Sequence, residues 1–69
     1  MDLTFACAHQ ADGRWAAEVP QLPGVMAYGA TAVAAIAKAQ ALALRRMAEL
    51  IEQDLGRPVN LTMSIPKDA

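Results

Sequence analysis

The chain has 69 residues, a formal net charge of −1, one cysteine and one histidine. That length holds one domain at most, and residues 1–69 are read as one. The charge leaves no electrostatic footprint for nucleic acid, and Cys7 alone cannot form a bridge within the chain. Hydrophobic residues make up 55% of the sequence, but sixteen of them are alanines, and Phe5, Trp15 and Tyr28 are the whole aromatic complement. The core must therefore lean on Leu, Ile, Val, Met and Trp. Small scaffolds need a staple. With no disulfide and no metal cluster around His9, homo-oligomerisation, as a dimer or tetramer, is the expected one.

Leu3, Phe5 and Cys7 alternate with Thr4, Ala6 and Ala8, which predicts a strand of period two. His9–Arg14 carries a turn signal, and Asp12-Gly13 matches a tight type I′ hairpin with two residues at positive φ. Trp15, Ala17 and Val19 then alternate with Arg14, Ala16 and Glu18, giving an antiparallel second strand. Pro20 cannot donate to a ladder, so the strand stops there or runs on an edge. Leu22-Pro23-Gly24 is a corner, since proline presets φ and glycine permits φ > 0. A short third strand runs from Val25 to Tyr28, and Gly29 ends it.

Thr31 is placed to cap a helix, with Ala34 where a capping box would want Glu or Gln. Helix formers continue from Ala32 to about Gln53. Val33, Ile36, Gln40, Ala43, Leu44, Met47, Leu50 and Ile51 form one stripe; Lys38, Arg45, Glu49 and Glu52 lie opposite. Gly56 and Pro58 stop the helix. Leu61, Met63 and Ile65 alternate with Thr62 and Ser64 as a fourth strand, closed by Pro66 and expected beside the first. The resulting class is α+β, in the order βββαβ: a small, mostly antiparallel sheet with one amphipathic helix on one face.

Few residues point to chemistry. His9 reads as an exposed histidine at a strand end, and Cys7 as a core cysteine. The acidic residues are scattered, with no pair at a spacing that implies acid–base work. No glycine-rich run precedes the helix with a lysine, so no phosphate loop is expected. Arg45-Arg46, with Glu49 and Glu52 close by, reads as a solvated helix face. No enzyme activity and no cofactor are expected. Trp15 belongs with the inward set, whereas the face of Tyr28 is left open; exposed, it suits an interface anchor. Gln40 in the apolar stripe reads as a partly exposed amide, or else as a polar contact with a partner.

Asp2 stands where a signal peptide would carry positive charge. The apolar run from Ala30 to Leu44 is broken by Lys38 and Gln40 and is too short to span a bilayer. The expected location is the cytoplasm of a microbe, without membrane association.

Asp12, Gly13, Trp15, Ala17, Val19, Pro20, Leu22, Pro23, Gly24 and Val25, continued by Gly29, Thr31 and the alanine-rich helix, form an ordered pattern. It resembles the HicB-like antitoxin family over about residues 3–52. The resemblance implies a partial RNase H-like domain without RNase H catalysis; the acidic metal ligands of a true RNase H have no counterparts here. It also implies a partner, the small basic ribonuclease toxin HicA, which such antitoxins bind and block. The alternative role is an orphan oligomeric scaffold or regulatory domain with no toxin. Many family members continue into a DNA-binding domain. This sequence reaches Ala69 before one would begin, so direct DNA binding by this chain alone is not expected. It departs from the family pattern at Ala32, Val33 and Ala34, where acidic residues are usual, and at Arg45-Arg46. Candidate partner-binding residues are Glu18, Gln21, Tyr28 and Gln40. Asp12, Gly13, Trp15, Ala17, Pro20, Leu22, Pro23, Gly24, Gly29 and Thr31 are expected to be structural.

Overall fold

A computed structural model describes residues 1–66. The elements run β1 (Asp2–Thr4), β2 (Ala6–His9), β3 (Trp15–Glu18), β4 (Met26–Gly29), α1 (Ala32–Glu49), a π-helical turn (Leu50–Leu55) and β5 (Thr62–Ser64). β2, β3 and β4 form an antiparallel sheet in that order; β1 and β5 pair in parallel. The α+β class and the placement of the last strand beside the first are as the sequence suggests.

The first predicted strand is in fact two. Extending the β2–β3 register, Ala6 opposite Glu18, by two residues sets Pro20 against Thr4. Proline has no N–H to offer the Thr4 carbonyl, so the ladder to β3 ends there and the Gln21 side chain engages Thr4 instead. Thr4 N–H donates to Gln21 Oε1 (3.1 Å), and Gln21 Nε2 donates to Thr4 Oγ1 (3.4 Å). On the other edge the chain stays with β5, where Phe5 N–H donates to the Ser64 carbonyl (3.2 Å). Leu3 and Phe5 are buried and Cys7 half-buried, so the alternation holds through the change of partner.

The first hairpin differs from the type I′ expectation. Gly13 has φ 91°, but among the described residues no non-glycine has positive φ, so Asp12 is not in the conformation that turn requires. Gly13 N–H donates to the Gln10 carbonyl (3.0 Å) and Gln10 N–H to the Arg14 carbonyl (2.7 Å). This is the longer three-residue connection, with glycine last. The Asp12 carboxylate favours it by accepting from Arg14 N–H (3.0 Å) and Arg14 Nε (2.8 Å). The second corner follows the sequence closely. Val25 N–H donates to the Leu22 carbonyl (3.1 Å) across Pro23 and Gly24, and Gly24 has φ 89°. Pro at the first central position and positive-φ Gly at the second are the type II pattern.

Thr31 caps α1, its Oγ1 accepting from Ala34 N–H (3.0 Å). The helix packs mainly on β4 and β3. Its buried line is Ala35, Ile36, Ala39, Ala43 and Met47. The stripe expected from the sequence is therefore rotated: Val33 is 61% and Leu44 50% exposed. Alanines at i, i+4 and i+8 let the helix backbone approach the sheet more closely than Val or Leu would. Gly29 completes that approach, because a Cβ there would lie 2.6 Å from the Ala35 amide nitrogen. The helical run reaches Leu55, and Gly56 N–H closes it on the Ile51 carbonyl (2.8 Å). Its last turn is π-helical, which the sequence did not suggest. Leu3, Phe5, Val19, Leu22, Val25, Ile36 and Met47 fill the core, with Trp15, Leu61 and Met63 at its margin.

Candidate interaction face

Side chains of β2, β3 and β4 alternate between a face covered by α1 and a face that no element of the described residues covers. On the uncovered face Ala6 stands opposite Glu18, Ala8 opposite Ala16, Ala16 opposite Tyr28, and Glu18 opposite Met26. The middle of the face is alanine, its rim larger. Ala16 is only 6% exposed although nothing packs over it, because its neighbours stand above it. A shallow hollow of about 140 Å³ lies there, lined by Ala6, Cys7, Ala8, Gln10, Ala16, Glu18 and Met26.

The two ends of β3 differ in charge. At its start, the Arg14 guanidinium lies 4.5 Å from the centroid of the Tyr28 ring while Arg14 Nε binds Asp12. The three residues brace each other, and the Arg14 hydrogen bonds, to the backbone N–H first, hold the Asp12 carboxyl below the usual carboxylate range. At the far end Glu18 is exposed. Of the residues on this face, Tyr28, Met26 and Arg14 are of the types enriched at protein contacts, whereas alanine and glutamate are not.

Of the four candidates for partner contact, Glu18 and Tyr28 share this face. Gln21 sits at the Pro20 corner with its amide engaged by Thr4. Gln40 lies on the helix flank near β5, half-buried, with Nε2 3.4 Å from the Met63 sulfur. Arg14, Ala16 and Met26 also belong to the face and were not among the candidates. Period-two alternation places Arg14 and Ala16 with Glu18, but the pairing register is needed to add Met26 and Tyr28. The motif residues have structural positions: Trp15 is half-buried and stacks on exposed His9 (4.5 Å, 9° between planes), while Ala17, Leu22 and Gly29 are buried.

Among the described residues, no three or more of His, Cys, Asp and Glu come close enough together to hold a metal ion. Among the same residues, no helix is long and apolar enough to cross a membrane.

No protein-family model matches the sequence, and no curated protein matches it at a significant level. A solved structure does. The crystal structure of the N-terminal domain of the Burkholderia pseudomallei antitoxin HicB aligns with a TM-score of 0.67 and 28% identity, over 93% of this chain and 73% of that one. In fold and in sequence, the chain is similar to the N-terminal domain of a HicB antitoxin.

Proposed function

We propose that this domain is a non-catalytic, antitoxin-like binding module of the cytoplasm, and that its open sheet face docks a small basic ribonuclease toxin of the HicA type. The observation that carries the reading is the likeness to the HicB antitoxin domain over nearly the whole chain. The uncovered face adds a physical reason. Its alanine floor admits a protruding side chain, Tyr28 supplies a rigid aromatic held by Arg14, and Glu18 supplies a carboxylate for a basic partner.

The test is co-expression with a small basic ribonuclease of the HicA type, taken from a neighbouring gene where there is one. Growth should be rescued and the two proteins should co-purify. Glu18→Lys should weaken capture by about tenfold or more through loss of an attractive contact and gain of a repulsive one, with the fold unchanged. The absence of both rescue and co-purification would sink the proposal. The second reading, an oligomeric scaffold without a toxin, draws on the unpaired edge of β4.

A further inference from the structure

Arg45 and Arg46 are the only basic doublet of the chain, and the open sheet face does not use them. Leu42, Arg45, Arg46 and Glu49 stand at i, i+3, i+4 and i+7 of α1 and so share one side of the helix. The sequence reads the doublet as a solvated helix face. The structure sets a second wall beside it: Pro23, Gly24 and Val25 of the corner between β3 and β4 complete a groove of about 290 Å³. That wall is fixed in place. Leu22 N–H donates to the Val19 carbonyl (3.0 Å) and Val25 N–H to the Leu22 carbonyl (3.1 Å), while Leu22 and Val25 are buried in the core.

The groove has an apolar middle and a basic rim. Leu42 is 38% exposed in it. Arg46 Nη1 lies 3.8 Å from Glu49 Oε2, too far for a hydrogen bond, and Arg45 makes no ion pair among the described residues. Arg14 differs, because its Nε is held by Asp12 at 2.8 Å. Two guanidinium groups with donors to spare therefore flank an exposed leucine, in a chain whose net charge is −1.

We propose that this groove docks an acidic segment of a second protein, one in which carboxylates flank an aliphatic or aromatic side chain. That side chain covers Leu42 and Pro23. The carboxylates accept paired hydrogen bonds from Arg45 and Arg46, whose planar forks match them. Glu49 accepts from a peptide N–H of the same segment. Because the corner is already ordered, little freedom is lost there on docking.

Charge selects the occupant. A basic toxin would meet two like charges here, and the face that carries Glu18 lies on the other side of the sheet from α1. The groove is thus a second surface, and it stands whether or not a toxin binds the sheet. Nucleic acid fits less well, since its phosphates would meet Glu49 and the groove offers no aromatic ring on which a base could stack.

The probe is a phage-displayed library of random short peptides, panned on the full chain without any toxin. Enriched peptides should carry Asp or Glu on both sides of a large apolar residue. On titration of the most enriched peptide, amide resonances of Gly24, Val25, Leu42, Arg45 and Arg46 should move most, and affinity should fall as salt rises. Arg45→Gln with Arg46→Gln keeps helix formers in place and should weaken binding by about tenfold or more. Leu42→Ala should weaken it roughly threefold. The reversal Arg45→Glu, Arg46→Glu should bind the same peptide better once its acidic residues are replaced by lysine. Circular dichroism checks that each variant is folded. Several results overturn the proposal: no enrichment, enriched peptides without acidic residues, or resonance changes centred elsewhere. Preferred binding of a labelled RNA that needs the two arginines also overturns it, and so does loss of toxin capture in the glutamine variant, which would make the groove part of the toxin site.

Discussion

A Cβ on Gly29 would meet backbone, 2.6 Å from the Ala35 nitrogen and 3.0 Å from the Ala34 carbonyl carbon. Backbone inside a helix cannot step aside, so Gly29→Ala must push α1 off the sheet. The expected loss is about 1–3 kcal/mol, which thermal unfolding reads as a fall of roughly 4–8 °C for each kcal/mol. An unchanged midpoint would refute the close approach. Gly24 differs, since nothing lies within 4 Å of its position and the constraint is φ 89° alone. Asp12 sets a pH response. Its folded-state acidity is raised by Arg14, so its contribution is present above the unfolded carboxyl pKa of about 3.9 and is lost as pH falls through the lower folded value. The Arg14 amide resonance should follow that titration, and in Asp12→Asn it should not move. A resonance that titrates alike in both proteins would place the proton elsewhere.

At the scale of elements, α1 begins with one side-chain cap and no acidic residue in its first turn. Thr31→Ala removes the acceptor for Ala34 N–H and should cost about 1 kcal/mol. Val33→Glu acts in the opposite sense. Val33 is 61% exposed, glutamate is the better helix former, and a negative charge in the first turn complements the helix dipole. A gain of about 0.3–1 kcal/mol in urea unfolding is expected. A loss would show that Val33 is covered by something in solution. The rotation of the helix explains why this substitution is tolerable at a position the sequence stripe assigned to the core.

For the whole molecule, the limiting fact is the core. Among the described residues, six of the thirteen buried hydrophobic ones are alanine. Such a core buries little volume per residue, and a single copy is at the small end of what folds alone. If two copies associate, as in the scaffold reading, association adds to folding. The thermal midpoint should then rise with protein concentration, because mass action favours the associated native state. Calorimetry over a wide concentration range checks it, and a constant midpoint counts against coupled association.

Local chemistry was readable from the sequence alone. Pro20 ending a strand, Pro23-Gly24 making a type II corner, Thr31 capping, and period-two and helical stretches all depend on residues and their immediate neighbours. The ordered run from Asp12 to Thr31 also carried the likeness that the solved HicB domain shows in three dimensions. Other features depend on contacts between distant segments. Asp12-Gly13 fits two hairpin types, and the Gln10–Arg14 pairing selects the longer one. The apolar residues of α1 outnumber those the sheet can cover, so the close fit of Ala35, Ala39 and Ala43 beside Gly29 decides the buried side and leaves Val33 and Leu44 outside. Tyr28 had no assigned face until the register set it beside Ala16, and Gln21 looked free until its amide was found bonded to Thr4. Sequence alone determined the kind and order of most elements and the corners and cap between them, because turn and cap chemistry is local. Only the tertiary structure decided which faces are covered, because burial is a property of pairs of elements.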